Sequence, residues 1–124
     1  MRKGLTWFSQ ITVRLRKGHD PRGGGTYTVH MEDLQFEWDE RKNRINKRKH
    51  GISFEEAQTV FLDENAIRYF DPDHSAEEDR FLMLGMSFRL RILIICHCYR
   101  VGDSVIRIIS ARKADKREQA DYWS

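Results

Sequence analysis

Cysteine is scarce in this 124-residue chain: Cys96 and Cys98 are the only two, set two apart in one apolar run. On a strand they share a face, a spacing wrong for a disulfide with each other. A C-x-C pair alone is a weak zinc signal, so both read as small core residues in a reducing compartment. Long apolar runs are also missing. The longest, Leu90 to Tyr99, is broken by Arg91 and His97 and falls short of the roughly 20 residues that span a bilayer. Near the N-terminus, Thr6, Ser9, Gln10, Thr12 and Arg14 interrupt any apolar segment of a secretory signal. A cytoplasmic protein without a membrane partner is the expectation. The patterns H-E-x-x-H, G-x-G-x-x-G and G-x-S-x-G and the P-loop are absent. The five histidines have no clustered spacing, so neither metal nor cofactor is expected.

What the chain has is charge, unevenly spread. Charged residues make up 33% and hydrophobic residues 40%, a balance that suits one soluble globular domain. Residues 1–31 hold six basic residues (Arg2, Lys3, Arg14, Arg16, Lys17 and Arg22) against Asp20, a net +5. The remaining 16 basic and 18 acidic residues give −2. The pI near 9.0 therefore belongs to the N-terminal segment and says little about nucleic-acid binding by the body. Lys17 to Gly25 (KGHDPRGGG) reads as a flexible linker. Residues 1–31 are expected to be an extension and residues 32–124 a folded domain.

Within that domain Phe36 and Trp38 alternate with polar neighbours, as in a short strand. Asp39 is placed to cap a helix that runs to Arg48 or Lys49, with Ile45 its central apolar residue and Gly51 its C-cap. Ser53 with Glu56 is a capping-box signature for a second helix, Phe54 to about Leu62. Ala66 to Phe70 reads as a strand ended by Asp71, Pro72 and Asp73, and His74 to Asp79 as a polar loop. Arg80–Phe88, Arg91–Arg100 and Ser104–Ala111 read as an antiparallel meander, and Ala114–Trp123 as a C-terminal helix. The class is α+β.

Several charged residues invite chemistry. Strict alternation puts Val105, Arg107, Ile109 and Ala111 on one face of the last strand, and Ile106, Ile108, Ser110 and Arg112 on the other. Arg107, in mid-strand, needs a carboxylate across the sheet, a phosphate or open solvent. Arg80 follows Glu77, Glu78 and Asp79, and fits either a surface charge cluster or acid–base work beside a phosphodiester. Lys49 and His50 either complement the helix C-terminus or stabilise a scissile phosphate. His97 reads as a satisfied core histidine, and His74 fits either role. These cations and carboxylates permit metal-free RNA cleavage in which the RNA's own 2′-hydroxyl attacks.

Three segments resemble the BrnT toxin family: Phe36 to Phe61, Asp71 to Ser75, and Ile106 to Glu118. The pairing of Lys49-His50-Gly51-Ile52-Ser53-Phe54 with Arg107-Ile108-Ile109-Ser110-Ala111-Arg112 is the most specific part. The resemblance implies a RelE-like fold, with two N-terminal helices packed on a mainly antiparallel sheet and a further helix at the C-terminus. It implies a metal-independent endoribonuclease that inhibits growth by cleaving RNA. Its implied partner is a BrnA-type antitoxin, in a heterotetramer of two toxins and two antitoxins that meets DNA only through the antitoxin. Carried over by position, the candidate site residues are Lys49, His50, Glu77, Glu78, Arg80, Arg107 and Arg112. Arg80 and Arg107 would hold the scissile phosphate, Lys49 or His50 would assist proton transfer, and Glu77 or Glu78 would orient an arginine or act as base. No His–His acid–base pair is evident, so modest, electrostatic catalysis is the expectation. Two other readings compete: a binding module acting only within a toxin–antitoxin repressor complex, and a nucleic-acid-binding regulator without an antitoxin.

Overall fold

The computed structural model describes residues 34–102 and 104–124. The expected extension over residues 1–31 and the exact start of the domain lie outside the described residues. The elements are β1 (Gln35–Glu37), α1 (Glu40–His50), α2 (Phe54–Thr59), β2 (Ile67–Phe70), β3 (Phe81–Met86), β4 (Ile92–Arg100), β5 (Val105–Lys113) and α3 (Lys116–Trp123). Single 3-10 turns, Val60–Leu62 and Pro72–His74, follow α2 and β2. The sheet has five strands in the order β1-β5-β4-β3-β2. The β2–β5 neighbours are antiparallel, and β1 runs parallel to β5. The class is α+β, with a mixed sheet and three helices.

Local chemistry explains the ends of the elements. Asp39 accepts from the Arg41 amide, and Gly51 closes α1 at φ 72°, a left-handed conformation that glycine adopts without a Cβ clash. The Ser53 hydroxyl accepts from the Glu56 amide. The Glu56 carboxylate does not close the expected box. It turns inward to accept from Ser87 Oγ and Arg91. The reciprocal box appears instead at α3, between Asp115 and Glu118.

The face of the sheet covered by α1 and α2 is dry. Ile52, Phe54, Ala57, Val60 and Phe61 pack onto Met83, Leu93, Ile95, Ile106, Ile108 and Ala111, the apolar burial that drives folding. His97 is fully buried there. Its Nδ1 donates to the Ile95 carbonyl, and Nε2 accepts from the Tyr99 hydroxyl, both at 3.1 Å. Tyr99 in turn accepts from Arg68. Burial pushes the His97 imidazole down to about 3, against the weaker upward effect of the Ile95 hydrogen bond. It is the satisfied core histidine that its mid-strand position predicts.

Ile45 does not anchor α1; it is 44% exposed. Two asparagines do. β1 covers β5 only from Val105 to Arg107, so the backbone of β5 beyond that point needs other partners. Asn46 supplies them, accepting from the Ala111 amide (3.1 Å) and donating to the Ala111 carbonyl (2.8 Å) and to the Ile52 carbonyl. Asn43 accepts from the Phe54 amide and donates to Glu55 and Glu40. Asn46 thus holds α1 against β5, and Asn43 ties it to the start of α2.

Strict alternation fails along β5. Ile108 pairs with His97 and Ser110 with Cys96, so Ile109 is an extra residue and the ladder carries a bulge. Beyond it the faces exchange. Arg107 (opposite Cys98), Ser110 (opposite Cys96) and Arg112 (opposite Ile94) now share one face. Ile106, Ile108 and Ala111 lie together in the dry core. Separating Arg107 from Arg112 by parity was therefore wrong, because one inserted residue reverses parity.

Candidate active site

The face opposite α1 and α2 is only partly covered. Tyr122 and Ala114 pack on Leu84 and Ile94 at one end. At the other a cleft of about 330 Å³ opens beside the bulge. Leu82, Ile94 and Cys96 of the sheet contribute apolar lining, β5 contributes Ile109 to Arg112, and His50 enters from the end of α1. Asp71, His74 and Arg80 come from the β2–β3 connection. Burial pushes the Cys96 thiol up, which keeps it neutral.

That connection is held by its own side chains. The Asp71 amide donates to the Arg80 carbonyl. Ser75 Oγ donates to the Asp71 carbonyl and accepts from the Arg80 amide. Asp71 Oδ2 lies 2.9 Å from His74 Nδ1, and the two side chains are 12% and 67% exposed. A carboxylate on Nδ1 fixes the tautomer that leaves Nε2 able to accept a proton. Nε2 has no hydrogen-bond partner among the described residues. Arg80 reaches Glu78 at 3.8 Å through Nη2, while its buried Nε has no partner. A buried guanidinium donor without an acceptor is costly, and a phosphate oxygen is the acceptor it suits best.

Of the seven residues nominated from sequence, His50, Arg80 and Arg112 meet in this cleft. Arg112 is not free: it holds Glu118 by two bonds of 2.8 and 2.9 Å. Each holds the other charged, raising the Arg112 guanidinium and lowering the Glu118 carboxyl. Glu77 and Glu78 line an adjoining hollow of about 230 Å³ with His74 and Arg80. Lys49 is exposed and lies outside the cleft lining. Arg107 also lies outside it and pairs with Glu37 at 3.4 Å, the cross-sheet carboxylate that its mid-strand position calls for. Glu37 and Glu78 both pair with Arg100, so Arg107, Glu37, Arg100, Glu78 and Arg80 form one chain of alternating charge.

His50 and His74 line the same cleft although 24 positions separate them in the chain. His74 and Asp71 are the site residues that the nomination left out. Asp71-Pro72-Asp73-His74 carried a usable signal, since a proline-initiated turn puts an aspartate three residues before a histidine within reach of Nδ1. Among the described residues, no group of three or more His, Cys, Asp and Glu side chains is placed to hold a metal ion. No helix among them is long and apolar enough to cross a membrane.

A cationic cleft with a carboxylate-oriented histidine, set on a small mixed sheet, has the makings of a phosphodiester-handling site. The family model described as "Ribonuclease toxin, BrnT, of type II toxin-antitoxin system" matches residues 38–118, well over half of the chain. The chain belongs to the BrnT family of ribonuclease toxins. Among solved structures it matches the crystal structure of the Brucella abortus ribonuclease toxin BrnT, with 26% identity and a TM-score of 0.49. That match covers 67% of this chain and 99% of the other. No curated protein matches.

Proposed function

We propose that this toxin is a metal-independent endoribonuclease of RelE-like arrangement, working through the cleft between α1, the β2–β3 connection and the β5 bulge. The observation that carries the reading is the Asp71–His74 pair facing the same cleft as His50 and Arg80. His74 Nε2 takes the proton from a ribose 2′-hydroxyl, and the 2′-oxygen attacks the adjacent phosphorus. Arg80 donates to the non-bridging oxygens and stabilises the charge that builds on them. His50 gives a proton to the departing 5′-oxygen as the P–O5′ bond breaks. The products are a 2′,3′-cyclic phosphate and a 5′-hydroxyl. Glu78 orients Arg80, Arg112 and Lys49 add positive potential at the rim, and Arg107 acts only through the ion-pair chain.

In the same reading the toxin inhibits growth when free. A BrnA-type antitoxin neutralises it in a complex of two toxins and two antitoxins, and DNA is met through the antitoxin alone. The test is to co-purify the toxin with the product of the neighbouring gene, measure the mass of the complex, separate the toxin and incubate it with RNA in EDTA. Cleavage by the free toxin that stops when the partner is restored is expected. A free toxin that leaves RNA intact while still binding its partner would instead make it a binding module.

A further inference from the structure

α1 concentrates more positive charge than its own termini call for: Lys47, Arg48 and Lys49 complement the C-terminal carbonyls, but Arg41, Lys42 and Arg44 do not. Its eleven residues include Arg41, Lys42, Arg44, Lys47, Arg48 and Lys49, all exposed, against one acid, Glu40. Glu40 already accepts from Trp38 and Asn43. None of the six cations makes an ion pair among the described residues. The segment carries +5 in a body (residues 32–124) that totals −2, so the rest of that body is −7. Repulsion among six neighbouring cations on one helix weakens that helix, and so much charge of one sign on one element favours an anionic partner.

The position of α1 narrows the choice of partner. Asn43 and Asn46 turn one side to the core, and at 100° per residue Arg41, Arg44 and Arg48 run along the opposite side. The helix ends at His50, which lines the cleft. A helix of this length extends about 16 Å. That is enough to run beside several phosphates at about 3.4 Å per residue of a stacked strand, and fewer if the strand is extended.

We infer that the exposed face of α1 is an RNA-backbone docking track, on which the strand flanking the scissile bond lies outside the cleft. The inference rests on the ribonuclease reading of the cleft but concerns a separate surface. The track reads phosphates, not bases, so it raises affinity for long single strands without altering the chemical step.

The test uses the triple variant Arg41→Gln/Arg44→Gln/Arg48→Gln, chosen because glutamine keeps helix propensity. Its charge-preserving counterpart, Arg41→Lys/Arg44→Lys/Arg48→Lys, serves as the control. Anisotropy of a labelled 2′-O-methyl RNA 20-mer, which has no 2′-hydroxyl to attack, reports binding without cleavage. The glutamine variant is expected to bind it about tenfold more weakly at low salt. The slope of log affinity against log salt should shallow by about 0.7 for each phosphate that is no longer neutralised, and the lysine variant should bind like the wild type. Cleavage of a dinucleotide should be unchanged in both variants, which also shows that the fold is intact. Equal binding by wild type and glutamine variant overturns the track. Loss of antitoxin binding with RNA binding intact overturns it too, and assigns the face to the protein partner. If the wild type binds the 20-mer through these arginines yet cleaves no RNA, the track stands and the catalytic reading falls.

Discussion

The two faces of the sheet handle histidine in opposite ways. On the face under α1 and α2, His97 is sealed among Phe61, Phe81 and Tyr99, with both ring nitrogens bonded and its protonated form suppressed. On the other face His74 is largely exposed, bonded on one nitrogen only and held by a carboxylate. The same side chain is a packing element where water is excluded and an acid–base candidate where a charged partner and solvent meet. Substitutions on the dry face should therefore change stability, and substitutions on the open face should change activity.

The largest effect should come from the open face. His74→Ala and Arg80→Ala should each slow RNA cleavage by about 10²- to 10⁴-fold, with stability within about 0.5 kcal/mol of the parent by urea titration. A stability loss as large as the activity loss would erase the distinction between the faces. Next comes Asn46→Ala, which strands the Ala111 backbone groups and the Ile52 carbonyl. A loss of about 2–4 kcal/mol is expected, read from the shift of the urea midpoint.

His97 gives a pH signature for the dry face. Its folded value, about 3, lies below the ordinary value near 6.5, so the unfolded chain binds a proton that the native state refuses. Stability is fully present above about pH 6.5 and falls by up to about 1.4 kcal/mol per pH unit on going down toward 3. His97→Gln should flatten that slope in denaturation curves between pH 4 and 6.5. Smaller again is Glu56→Gln. Burial pushes the Glu56 carboxyl up, but the hydrogen bonds from Arg91 and Ser87 and the Arg91 charge outweigh burial and hold it below its ordinary range. Its stabilisation is present above the ordinary carboxylate range and is lost as pH falls through the lowered value. The substitution should cost about 1–2 kcal/mol at neutral pH, a value discounted for the partial exposure of Arg91, and should cost nothing once Glu56 is protonated.

Much of the fold was legible because its signals are local. Asp39, Gly51 and Ser53 mark helix ends, and the meander follows from its turns and apolar strands. The parallel placement of β1 was not legible, since nothing in Gln35–Glu37 names its neighbour. Nor was the anchoring of α1: Asn43 and Asn46 look like surface residues until the unpaired edge of β5 is known. The bulge at Ile109 hid the shared face of Arg107 and Arg112, because a single extra residue leaves no compositional trace. In the site, Arg80 is legible as a cation beside Glu77, Glu78 and Asp79 and His50 as a titratable group at a helix end, whereas Arg112 comes only from the family resemblance. His74 was passed over because its partner Asp71 was read only as a strand terminator.

The most direct test of the central claim is identification of the RNA ends by mass spectrometry after incubation with the purified toxin in EDTA, alongside His74→Ala. The wild type should leave 2′,3′-cyclic phosphate and 5′-hydroxyl ends, and the variant should form the same ends at least about a hundredfold more slowly. Cleavage that disappears in EDTA, or 5′-phosphate ends formed equally fast by both proteins, would contradict that claim.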